Sequence, residues 1–197
     1  MRDARHIAAL LVSLLVMSVL IGCNRSALVN QNIEPNNSGF AATNRNDSEH
    51  GQEVESPLPK PTGLVNDYAQ VIDVESKRRL DRLLTGLLKR AEIGFVVATV
   101  ETTGGQSVDD YSLAVARGWK VGSKNGGILL LLAIKDRKWR IQVTRQLEGD
   151  LPDEEVAKFG QLMMPAAREG RYGEGVEKCA RAIIERLAQR RGFKLEE

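Results

Sequence analysis

Two kinds of hydrophobic pattern run along the chain, one at helical spacing and one nearly continuous. Leu80, Leu83, Leu84, Leu87 and Leu88 recur every three or four positions behind Asp73, a good capping residue, which predicts an amphipathic helix over 74–91. Ile93 to Val100 is apolar on both faces and β-branched, the pattern of a buried strand over 93–100. A second helical stretch, 107–120, leads into Gly127 to Ile134 (GILLLLAI), the most hydrophobic segment of the domain, which predicts a strand over 127–135. Lys135-Asp136-Arg137 reads as a turn. After it, Trp139, Ile141 and Val143 alternate with Arg140, Gln142 and Thr144, a strand over 138–144. The first two strands, joined by a helix, are expected to run parallel, and the last two to form an antiparallel hairpin. Further on, a helix capped by Asp153 covers 153–163 and is interrupted at Pro165. The final helix, 173–191, carries Val176, Cys179, Ala180, Ile183, Ile184 and Leu187 on one stripe and stops at Gly192. The segment Val65 to Ala69 reads as a loop. These elements add up to an α/β fold, a three-layer α/β/α sandwich whose small mixed sheet, a βαβ unit plus a β-hairpin, is flanked by helices.

The N-terminus follows a different pattern. Arg2 and Arg5 precede an uncharged run from Ile7 to Gly22, shorter than the roughly 20 residues of a membrane span. The run ends in Leu20-Ile21-Gly22-Cys23, which resembles a bacterial lipobox. That resemblance implies a signal peptide over 1–22 and lipidation of Cys23 as the mature N-terminus. It also implies a bacterial cell-envelope location, with the domain on the extracytoplasmic side and attached to the membrane through the lipid. Residues 23–60, rich in Asn, Ser, Glu and Pro, cannot bury enough apolar surface to offset their ordering entropy and are expected to form a disordered tether. The folded domain is expected over 61–192 with a short tail over 193–197, and no stable packing before about residue 60.

Charge and histidine content narrow the chemistry. A net charge of +2 is too small for the electrostatic footprint of a nucleic-acid binder. The two histidines, His6 and His50, both fall in the signal and tether, so the domain is without the base of Ser-His-Asp or Cys-His catalysis and without histidine metal ligands. Gly122 to Gly127 precedes a strand and does not have the P-loop order. Cys179, on the apolar stripe of the last helix, reads as core filler, Trp119 as closing the second helix against the sheet, and Arg181, Arg186, Arg190 and Arg191 as a solvated face. The hairpin itself places Asn125, Glu148 and Asp150 at one end of the sheet, near Asp153. Oxygen donors of this kind in loops suit a hard cation such as Ca²⁺. The competing reading makes Asp153 only a helix cap and pairs Glu148 with an arginine.

Four ordered motifs carry a family resemblance: VNDYA at Val65 to Ala69, WKVGSKNGGILLLL at Trp119 to Leu132, LEGDLPD at Leu147 to Asp153, and Pro165 followed by REGRYGEG at Arg168 to Gly175. Together they resemble the TPM domain, the family of the plant thylakoid-lumen acid phosphatase-like protein of photosystem II repair and of a nematode receptor-modulating membrane protein, over Thr62 to Arg190. The resemblance implies a compact α/β/α sandwich, divalent cation (Ca²⁺) binding in some members, and weak phosphatase activity in few; for this chain Ca²⁺ (or Mg²⁺) and no organic cofactor are expected. The family's acidic rim falls here on Asp67 with Asn66, on Asn125 and on Glu148. Two departures bear on it. Lys124 stands where the family usually has an acidic residue, and Thr144-Arg145-Gln146 where it has a Gly-aromatic-Gly turn. A positive charge beside the rim raises the electrostatic cost of binding a cation. The function expected is that of an envelope-tethered accessory binding or scaffolding module for membrane-associated complexes, with a protein partner. The alternative is a weak metal-assisted acid phosphatase.

Overall fold

The computed structural model describes residues 55–194; the expected signal peptide, Cys23 and most of the expected tether lie outside the described residues. Strand β1 (Val65–Asp67) is followed by helix α1 (Val74–Ala91), strand β2 (Gly94–Val100) and helix α2 (Val108–Gly118). Strands β3 (Gly127–Ala133) and β4 (Lys138–Val143) make the hairpin, a 3₁₀ turn covers Arg145–Leu147, and helices α3 (Asp153–Gln161), α4 (Met164–Arg168) and α5 (Tyr172–Arg191) complete the domain. The sheet has the order β1-β2-β3-β4, with β1, β2 and β3 parallel and β4 antiparallel to β3. This is the expected mixed sheet plus one strand, β1, in place of the expected loop. Three residues, two of them polar, are too few to show a period, and the strand exists because β2 offers its edge to Val65, Asn66 and Asp67.

Both sheet faces are buried, but unequally. On one, Phe95, Val97, Ile128, Leu130 and Leu132 pack against α1, α3 and α5, whose Leu80, Leu84, Leu87, Ile183 and Leu187 are fully enclosed. The other face is covered by one helix, α2, through Tyr111 and Val115 on Ala98, Leu129 and Leu131, with Leu58 and Val121 packed beside it. All seven residues of β3 are buried, which explains its unbroken apolar run. No helix among the described residues is long and apolar enough to cross a membrane.

Three expectations need correction. Asp73 caps α1 by accepting from the Ser76 N–H, as the sequence predicts. Asp153, however, is the first residue of α3, not its cap: Pro152 holds the cap position with no side-chain bond, and Asp153 only places negative charge at the positive end of the helix. The packed unit also begins before residue 60. Leu58 lies against the α2-side core, and the Pro59 carbonyl accepts from Trp119 Nε1 at 2.9 Å and from the Tyr68 hydroxyl at 3.3 Å. At the other end, Phe193, assigned to the tail, packs against the main core.

Candidate functional site

The residues named for a cation lie at opposite ends of the sheet. Asp67 ends β1 opposite Thr99, whereas Asn125 precedes β3, whose first residue pairs with Gly94 at the start of β2. From Gly94 to Thr99 is five steps of roughly 3.3 Å, a separation along the strand of about 16 Å. No rearrangement of side chains brings Asp67 to Asn125 and Glu148.

At the carboxyl end of β1, Asp67 holds a turn. One carboxylate oxygen accepts from the Thr99 hydroxyl and from the Val71 N–H at 3.1 Å, and the other accepts from the Ile72 N–H at 2.8 Å. The Thr99 oxygen accepts in turn from the Ala69 N–H at 3.2 Å, so four groups of the β1–α1 connection and β2 are tied together. The turn needs this, because Gln70 sits at φ 55°, a left-handed conformation unfavourable for a residue with a Cβ. Asn66 is buried and equally occupied: its Oδ1 accepts from the Thr62 N–H at 2.9 Å, and its Nδ2 donates to the Gly63 carbonyl at 2.9 Å.

At the other end, Asn125 serves α1. Its Nδ2 donates to the Ala91 carbonyl at 2.8 Å and its backbone N–H to the Glu92 carbonyl at 3.0 Å, satisfying groups left over where that helix ends. Arg191, from the last turn of α5, organises the rest of this rim. Its guanidinium donates to Asp150 Oδ2 at 2.7 Å, to the Gln146 carbonyl at 3.0 Å and to the Asn125 carbonyl at 3.3 Å. Thus Asp150, and not Glu148, is the carboxylate paired with an arginine, and Arg191 is part of the structure instead of an idle solvated charge. Arg186 is likewise engaged, donating to Glu155 Oε1 at 2.5 Å. Lys124 pairs with Glu92 at 3.3 Å, an exposed contact worth little in water. Glu148 stands exposed behind the 3₁₀ turn. Among the described residues no three of His, Cys, Asp and Glu are grouped to hold a metal ion. The rim residues do not fit the cation that the family resemblance implies.

Cys179 is fully buried, and burial pushes its thiol up to about 12, leaving it no thiolate at neutral pH.

A site that sequence reasoning missed opens at the carboxyl end of β3, a cleft of about 390 Å³ between the β3–β4 hairpin and α4. Buried Leu132, Ala133 and Met163 form its floor, Trp139, Met164 and Tyr172 its half-buried walls, and exposed Arg137, Lys138 and Arg168 its edge. The available signal was Arg137-Lys138-Trp139 in the sequence, but nothing local reveals that Arg168 and Tyr172 face the same space.

A family model for the TPM domain matches residues 65–186. Two solution NMR structures share the fold. The N-terminal domain of a P. gingivalis protein is 27% identical, with a TM-score of 0.62 over 69% of this chain and 88% of that one. The N-terminal domain of a Corynebacterium glutamicum protein is 14% identical, with a TM-score of 0.51 over 66% of this chain and 86% of that one. No curated protein matches the sequence. With the model spanning β1 to α5 in the order that the four sequence motifs set, the chain belongs to the TPM-domain family.

Proposed function

We propose that this chain is an envelope-tethered TPM module that binds or scaffolds and does not transform its partner, held at the membrane through lipidated Cys23. The observation that carries this reading is the commitment of Asp67. A phosphatase without histidine needs a carboxylate able to hold a cation or take a proton from water. Both oxygens of Asp67 are instead engaged by Thr99, Val71 and Ile72, and the remaining rim carboxylates are about 16 Å away, Asp150 tied to Arg191 and Glu148 exposed and, among the described residues, in no group of acids able to hold a metal. A cleft with an apolar floor, by contrast, is a surface suited to binding.

The test is hydrolysis of a generic phosphoester by the full chain, with Ca²⁺ or Mg²⁺ present. No turnover above buffer is expected, and none that Asp67→Asn alters. Metal-dependent turnover that Asp67→Asn abolishes at an unchanged melting temperature would establish an enzyme and overturn the reading.

A further inference from the structure

We propose that the cleft between the β3–β4 hairpin and α4 binds an amphiphilic anion, a carboxylate or phosphate head carried on a short apolar body. The inference stands whether or not Cys23 is lipidated.

Charge distribution supplies the first half of the argument. Basic side chains flanking the cleft residues in sequence are paired: Lys135 with Glu101 at 2.6 Å, Arg140 with Asp109 at 3.0 Å, and Arg171 with Glu174 at 2.7 Å. The side chains of Arg137, Lys138 and Arg168, interleaved with them, make no hydrogen bond and no close ion pair among the described residues, Lys138 having only a longer-range attraction to Asp136, and all three line the same cavity. No carboxylate lines it with them. Asp136, the nearest acid in sequence, is not part of the lining: its oxygens accept from the Thr102 hydroxyl at 2.8 Å and the Thr103 N–H at 2.7 Å, and its charge offsets Lys138 only in part, leaving Arg137 and Arg168 without a carboxylate. Three like charges around the mouth of one cleft raise the local positive potential, and an anion placed among them is attracted by it.

The backbone adds an independent observation. Arg137 has φ 54°, in the left-handed region where a turn normally uses glycine. A residue with a Cβ at such a position is unfavourable for the fold, and strained positions of this kind cluster where a side chain has a task.

The apolar body follows from the rest of the lining. A bare anion would leave the half-buried walls, Trp139, Met164 and Tyr172, facing water, and a neutral apolar molecule would leave Arg137 and Arg168 uncompensated. Met163 and Met164 are flexible enough to follow bodies of different shape. The volume is at the lower end of the range for small-molecule sites, so the body is short.

Tryptophan fluorescence can test this, because the chain has only two tryptophans and only Trp139 lines the cleft. In the full chain carrying Trp119→Phe, in non-ionic detergent, titration with hexanoate or hexyl phosphate should shift Trp139 emission saturably. Affinity for at least one of these should be tenfold or more above that for 1-hexanol and for inorganic phosphate, and the better head tells a fatty-acid source from a phosphate-ester source. Arg168→Gln and Arg137→Gly should each weaken binding at least fivefold, while Arg137→Gly, which relieves the left-handed strain, melts no lower than its parent. An equal response to 1-hexanol would mean apolar partition only. An equal response to inorganic phosphate would mean a bare-anion site. Either result, no response at all, or unchanged affinity in both arginine variants overturns the proposal.

Discussion

Asp67 shows how a residue can be read correctly as special and still be assigned to the wrong task by its neighbours in sequence. The motif VNDYA marks it, yet its partner Thr99 is on another strand, and nothing local announces that a hydroxyl will arrive there. Asp67→Ala leaves the Val71 and Ile72 N–H groups and the Thr99 hydroxyl without an acceptor, and should cost about 2–3 kcal/mol in urea unfolding. Cys179 supports a prediction of opposite character, since the sequence already read it as core. Its folded pKa is raised, so its contribution to stability is full below the unfolded thiol value, about 8.5, and is lost progressively as pH rises toward about 12. Stability measured between pH 8 and 11 should therefore fall less steeply in Cys179→Ala than in the parent, and a thiol reagent at pH 8 should leave the folded parent's Cys179 unmodified.

At the level of elements, periodicity and capping were legible wherever an element was long enough to repeat. Helices α1, α2 and α5 and strands β2, β3 and β4 all lie within a few residues of the positions their patterns predict. The failures are short or cooperative: β1 needs its neighbour, α4 is little more than a single turn with Pro165 inside its start, and α3 starts without a side-chain cap. Asp73→Ala should remove the α1 cap and lower stability by about 1 kcal/mol. The bonds from Ser76 hold the Asp73 carboxyl below its usual range, so the cap's contribution is present above pH about 4 and is lost as pH falls through the lowered value. A cross-element contact invisible in sequence is Gly160 on α3, where a Cβ would stand 2.1 Å from the Trp139 ring of β4. Gly160→Ala should destabilise by about 1–3 kcal/mol through overpacking, and it should also disturb the cleft, because that ring is one of the cleft walls.

Taken as a whole, the domain separates its polar chemistry from its cavity. Carboxylates and amides of the family motifs fasten the turns at both ends of the sheet, while the cleft at the carboxyl end of β3 is lined by cations and apolar side chains. Element order and the mixed sheet could be anticipated from the chain. The division of the rim could not, because it depends on β1 joining the sheet parallel to β2 and thereby carrying Asp67 to the far end. The proposed membrane attachment belongs to this scale too: Cys23→Ser should release the chain from the membrane fraction or leave its signal unprocessed, and an unchanged mature mass with membrane retention would refute it. The division of the rim is tested most directly by calcium-dependent melting of the full chain, as parent, Asp67→Asn and Glu148→Gln. All three should show the same response to millimolar Ca²⁺, because no single ion can touch residues about 16 Å apart. A rise of several degrees in the parent, abolished by each substitution separately, would contradict it, since only a site shared by both carboxylates behaves that way.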